Sequence, residues 1–140
     1  MATVMTMPQD VRDIVRGYYH AWTSGNFELA RFFLADELDF QGSMDTFHGA
    51  DSFVDALGEF QRRLKSIRLL KEFYSAGGGM LLYDCITDSP AGTIRTAEYC
   101  GVAAGKIFEI RLVFDATLLR QVQTDNCNAM LETRIAQREE

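Results

Sequence analysis

The order of the apolar periodicities constrains this chain more than any single motif. Helical spacing dominates from Pro8 to Leu64, broken by one short extended segment, and short alternating strands with tight turns follow from Ile67 to Asp115. Helices segregated against a mainly antiparallel sheet make an α+β domain, not an alternating doubly wound one. A strongly curved sheet of this kind can be closed on one side by helices, leaving an apolar interior. The sequence describes a container better than the chemistry inside it.

The first helix is predicted from about Gln9 to Ser24, where Val11, Ile14, Val15, Tyr18 and Trp22 form one stripe. Thr6 and Gln9 offer a capping box with Pro8 in the first turn, and Gly25 a left-handed stop. Asn26 then caps a short helix carrying Leu29, Phe32, Phe33 and Leu34, and Leu38 to Gln41 alternates as a strand. A third helix carries Phe53, Leu57, Phe60 and Leu64 on one face. Ile67 to Ser75, Met80 to Thr87, Thr93 to Val102 and Lys106 to Asp115 read as strands. Between the first two, Gly77-Gly78-Gly79 lacks the Lys-Ser/Thr of a phosphate loop and reads as a hairpin turn. Residues 1–117 make one domain. Residues 118–140 are expected to add a docked helix, capped by Thr124 or Asp125, with Cys127, Met130, Leu131 and Ile135 on a narrow strip.

A net charge of −6 argues against nucleic acid, because phosphate binding needs clustered Lys and Arg. Arg62, Arg63 and Lys65 do cluster, but at the end of a helical pattern, where they complement the macrodipole and face water. Cys85, Cys100 and Cys127 have no metal-type spacing, so no metal or other cofactor is expected and a reducing cytoplasm is the simplest setting. No apolar run is long enough for a membrane helix, and the first residues show no secretory signal.

The run Tyr18-Tyr19-His20-Ala21-Trp22-Thr23-Ser24-Gly25-Asn26-Phe27 leads on to Asp36-Glu37-Leu38-Asp39-Phe40 and Phe47-His48-Gly49. With Gly105-Lys106-Ile107 and Phe114-Asp115 near the end, the stretch from Gln9 to Thr117 resembles a SnoaL-like domain of the nuclear transport factor 2-like superfamily. The resemblance implies a cone: a curved, mainly antiparallel sheet covered by three helices. It implies either an enzyme such as an isomerase, cyclase, dehydratase or hydrolase acting without cofactor, or a non-catalytic binding or accessory module. Tyr18 matches the helix-one tyrosine of the ketosteroid isomerases. Their carboxylate base falls at Gly42 or Gln41, their second oxyanion acid at Ala97 with Glu98 one residue away, and the cyclase aspartate at about Leu112. The usual isomerase and cyclase acids are therefore absent from their places.

Strand parity, with the family's inner face as guide, turns Ile110, Leu112 and Phe114 inward and Glu109, Arg111 and Val113 outward. If the Asp88 to Gly92 turn pairs Thr87 with Thr93, Asp84 lies opposite Thr96 and Leu82 opposite Glu98, so both carboxylates share the pocket wall. The candidate catalytic groups are thus Tyr18 as donor, Asp84 or Glu98 as acid or base, and His48 near the mouth with Asp39, Gln41 and Asp45. Trp22, Phe40, Phe53, Leu57, Leu82, Leu112 and Phe114 are the expected lining for a small hydrophobic ligand. His20 lies on the opposite face of its helix, toward solvent. On the outer face, Phe73 or Tyr74, Leu81, Tyr83, Cys85, Tyr99 and Val113 suggest a patch covered by a second copy, with Arg95, Glu109 and Arg111 available to pair across a two-fold axis.

Overall fold

Three helices pack against one six-stranded sheet in the computed structural model, which describes residues 10–117. The N-terminal capping box and the helix expected over 118–140 lie outside the described residues. The elements are α1 (Val11–Thr23), α2 (Phe27–Phe32), β1 (Leu34–Gln41), β2 (Thr46–His48), α3 (Ala50–Gln61), β3 (Leu64–Ser75), β4 (Gly78–Thr87), β5 (Thr93–Ala103) and β6 (Lys106–Phe114). Strand order is β2-β1-β6-β5-β4-β3. Every neighbouring pair is antiparallel except β1 with β6, which run parallel. Among the described residues no helix is long and apolar enough to cross a membrane.

Helix α1 starts at Val11, two residues after the start expected at Gln9. Asp10 is its N-cap, in extended conformation, and its carboxylate accepts from the Arg12 N–H at 3.0 Å. Ile14, Val15, Tyr18, Tyr19, Ala21 and Trp22 are buried along the helix, so the stripe is also wider than the one read from the sequence. Asn26 caps α2 as expected, accepting from Leu29 N–H at 3.2 Å. That helix ends at Phe32, and Leu34 opens β1 instead, leaving Leu29 and Phe32 exposed.

The turn between β3 and β4 is tighter than the three glycines imply. Ser75 pairs with Gly78, so only Ala76 and Gly77 form the loop, and Gly78 and Gly79 sit buried within β4. Irregular register interrupts β3–β4 at two places, β1–β6 between Leu34 and Asp39, and β5–β6 between Gly101 and Val102. Such offsets bend strands and raise local twist, which curves a sheet without closing it.

The inner face of that curve carries three rows. Tyr83, Thr96 and Phe114 make one; Leu81, Glu98 and Leu112 the next; Cys100 and Ile110 a third, continued by Phe40 on β1. Helix α1 lies over these rows, and Phe53 and Leu57 of α3 complete the core. Phe53 stacks on Phe40 with ring centroids 4.6 Å apart.

Candidate functional site

Glu98 stands in the middle of the middle row, 1% exposed, between two apolar neighbours on adjacent strands. A carboxyl placed there needs hydrogen bonds, since burying even a neutral polar group without them costs about 2–7 kcal/mol and a charge more. Two tyrosines supply them. The Tyr83 hydroxyl of β4 donates to Oε1 at 2.8 Å, and the Tyr18 hydroxyl of α1 approaches Oε2 at 3.4 Å. The first bond is of ordinary length and the second is long, leaving Tyr18 the looser partner.

Burial and hydrogen bonding act on this carboxyl in opposite directions. Loss of water raises its pKa, the two hydroxyls lower it, and burial wins, leaving it at about 7 against an ordinary 4.5. Burial, with the Glu98 charge nearby, lifts both phenols well above the usual tyrosine range, so both keep their protons. The cluster therefore holds one group that exchanges a proton near neutrality and two fixed donors. Beside it, Trp22 is 1% exposed and its ring lies 6.0 Å from that of Tyr83. The Trp22 Nε1–H is a buried donor with no hydrogen-bond acceptor among the described residues.

The other candidate residues fall in three groups. Tyr18, Trp22, Phe40, Phe53 and Leu57 share one core with Glu98's neighbours, and Leu112 and Phe114 pack against it. His48 is far from this arrangement in role: its ring is 83% exposed at the β2 edge, with Nδ1 3.2 Å from Asp39. Asp39 is in turn held by Arg111 at 2.9 Å, a surface network on β1 and β6. The Asp45 carbonyl accepts from Gly42 N–H at 2.8 Å, a turn role, and Asp115 accepts from Thr117 N–H at 3.0 Å.

Asp84 and Leu82 are corrected. Thr87 closes the loop on Gly92 through its N–H (3.0 Å) and its hydroxyl (2.7 Å), so Ile86, not Thr87, pairs with Thr93. That shift of one residue turns all of β4 over. Asp84 lies opposite Arg95 instead of Thr96, and Leu81 instead of Leu82 lies opposite Glu98. Arg95 grips Asp84 with two bonds, at 2.8 and 2.9 Å, and this hydrogen-bonded pairing lowers the Asp84 pKa. The guanidinium holds this carboxylate ionised on the sheet's other face, away from Glu98. Asp84→Asn is expected to leave any catalytic rate within about twofold of the parent, a rate assay on the two proteins being the check, because no charge near Glu98 changes.

The same shift brings in Tyr83, which sequence reasoning had turned outward with Leu81 and Cys85. All three are buried. A signal for this existed: Leu81, Tyr83 and Cys85 carry no charge, whereas the alternative face of β4 includes Asp84.

Neither a scan of family models nor a search of curated proteins found a match to the sequence. Solved structures do match. A protein from Kribbella flavida is 29% identical with a TM-score of 0.75, covering 83% of this chain and 95% of that one. An NTF2-like protein of unknown function from Cytophaga hutchinsonii is 24% identical with a TM-score of 0.70, covering 85% and 98%. A steroid delta-isomerase from Pseudomonas aeruginosa has a TM-score of 0.70 at 10% identity, covering 94% and 99%. Similarity of that extent over nearly the full length of each neighbour gives this chain the α+β cone fold of the NTF2-like superfamily, which its sequence motifs resemble.

Proposed function

We propose that this protein is a cofactor-free acid–base enzyme acting on a small apolar molecule, with Glu98 as the group that moves the proton. The observation that carries the reading is a fully buried carboxyl titrating at about 7 between two hydroxyl donors. A general base works best when its pKa lies near the operating pH, and burial against apolar neighbours is how a carboxyl reaches that value. A purely structural acid gains nothing from being left half-ionised at neutrality.

In this reading the apolar body of the ligand approaches Glu98 past Leu112 and Phe114, the partly buried residues of the inner face. Ionised Glu98 takes a proton from a carbon beside a carbonyl, and the electron pair moves onto the carbonyl oxygen. Tyr18, the loosely held hydroxyl, and the unpartnered Trp22 Nε1–H are the donors available to that oxygen. Glu98 then returns the proton to another carbon, which is an isomerisation. The similarity to a steroid delta-isomerase supports this class through fold alone.

The test is exchange of the α-protons of 3-cyclohexenone for deuterium, followed by NMR. The protein is expected to accelerate exchange with a rate that rises through pH 7 and levels above it, as Glu98 ionises. No acceleration over buffer at any pH would leave a ligand-binding module without chemistry.

We further propose that the outer face of the sheet pairs with a second copy. Phe73 and Val113 are each 65% exposed and Met80 40%, and they share this face with Leu82, Ala97 and Tyr99. Arg68 and Lys71 flank this patch on the β3 side, and on the β1 side Asp39 and Glu109 carry two negative charges against the one positive charge of Arg111. A two-fold axis in the interface plane and along the strands brings each edge against the opposite one, so a positive edge meets a negative one twice. Light scattering is expected to give twice the chain mass, and Met80→Asp a folded monomer. Arg111 is a poorer probe, because its guanidinium already binds Asp39 and Glu109 within the chain.

A further inference from the structure

Arg62, Arg63 and Lys65 give this acidic chain a run of three cations within four residues, and the Glu98 site uses none of them. The run adjoins a groove of about 370 Å³ between the last turn of α1, the end of α3 and the start of β3. That volume lies within the range of small-molecule sites, about 300–1,000 Å³. The groove has two kinds of wall. Tyr19, Leu64 and Ile67 are its apolar part, while His20 and Lys65 are polar groups able to donate; the Thr23 hydroxyl already donates to the Tyr19 carbonyl at 2.8 Å. Among the described residues no carboxylate lines it.

We propose that this groove binds a small amphiphilic carboxylate, its hydrocarbon chain against Tyr19, Leu64 and Ile67 and its charged end at Lys65. Lys65 is free to take that role. Its ammonium lies 3.7 Å from Asp88, both side chains exposed at 60% and 82%, and so loose a surface pair contributes little. A carboxylate ligand replaces Asp88 with a partner that also buries its apolar part. The protein as a whole repels anions at a net charge of −6, so a groove with a cation and no acid in its lining selects for one. An amine of equal length meets Lys65 as a like charge, and an alcohol gains the apolar contacts without the ion pair.

The groove also has a built-in reporter. Tyr19 forms its inner wall and meets the ring of Trp22, the chain's one tryptophan, edge-on at 6.0 Å. Octanoate, octanol and octylamine titrated separately into the full chain should therefore be read by Trp22 fluorescence, with amide NMR shifts to locate the site. Octanoate is expected to saturate, with the largest shifts at Thr23, Gln61 and Ser66, and to bind at least tenfold more tightly than either analogue. Lys65→Met, an exposed change that leaves the fold intact, should weaken octanoate by roughly tenfold, as loss of a charge-assisted contact does. Equal affinity for octanol, an unaltered affinity in Lys65→Met, or shifts centred elsewhere would each overturn the assignment. No arm of the titration depends on the role of Glu98, so the two readings fail separately.

Discussion

Glu98→Gln is expected to abolish α-proton exchange and, above neutral pH, to make the protein more stable. The amide keeps the shape of the carboxyl and an oxygen to accept from Tyr83, but it neither takes a proton nor carries a charge. The stability change follows from the raised pKa. Below about 4.5 the folded and unfolded chains both hold the Glu98 proton. Between 4.5 and about 7 the unfolded chain releases it while the folded one keeps it, so stability falls as pH rises. Above 7 both are ionised and the loss is complete, about 3 kcal/mol from the separation of the two values. Urea unfolding at pH 5 and pH 8 measures it. The parent should lose stability between these conditions relative to Glu98→Gln, and parallel pH profiles for the two proteins would show that Glu98 is not a buried, neutral-titrating acid. Enzymes commonly hold a catalytic group at a cost in stability, and the variant separates the two.

Gly78→Ala is expected to destabilise the fold by about 2–3 kcal/mol, the scale of overpacking in a closed core. A Cβ at Gly78 would lie 2.6 Å from the carbonyl oxygen of Cys100 and 2.8 Å from the ring of Tyr99. The side chain of Tyr99 can move, but the carbonyl belongs to β5 and yields only if β4 and β5 separate. Those two strands carry Tyr83 and Glu98, so strain there reaches the site. Gly77→Ala is the control, since a Cβ at Gly77 meets nothing within 4 Å. Thermal unfolding should leave Gly77→Ala within a few degrees of the parent and lower Gly78→Ala by on the order of 10 °C. Equal melting temperatures would show that β4 and β5 accommodate the methyl group.

Why some of this was legible in the sequence and some was not comes down to which interactions set each feature. The α1 stripe was readable because a helix of 13 residues repeats its buried face several times, and Tyr18 and Trp22 fall on it whichever residue caps the end. The inward reading of Glu98 rested on a pairing with Leu82 that the structure replaces with Leu81, and on β6 it is the irregular register between Gly101 and Val102 that sets Glu98 opposite Leu112. Strand β4 was ambiguous because Leu82 and Ile86 on one face are as apolar as Leu81 and Cys85 on the other. Its direction was decided by hydrogen bonds from Thr87 to Gly92, a detail that turn composition does not specify. Asp84 and Tyr83 exchanged faces with that one residue. The unpartnered Trp22 N–H and the groove at Lys65 left no trace in the sequence, since each depends on where separate elements meet.

Strand β1 has its inner neighbour at the far end of the described chain. Leu34 to Gln41 pairs in parallel with Ile107 to Arg111, and the Tyr18 and Glu98 side chains that meet above the sheet are 80 residues apart. A ribosome delivers β1 long before β6. Throughout that interval β1 presents an open edge, with Leu38 and Phe40 uncovered beside it, the arrangement most prone to pairing with the wrong strand. The β5–β6 hairpin then joins β1 to the rest of the sheet, and the cluster of Tyr18, Tyr83 and Glu98 forms only after β5 has been made.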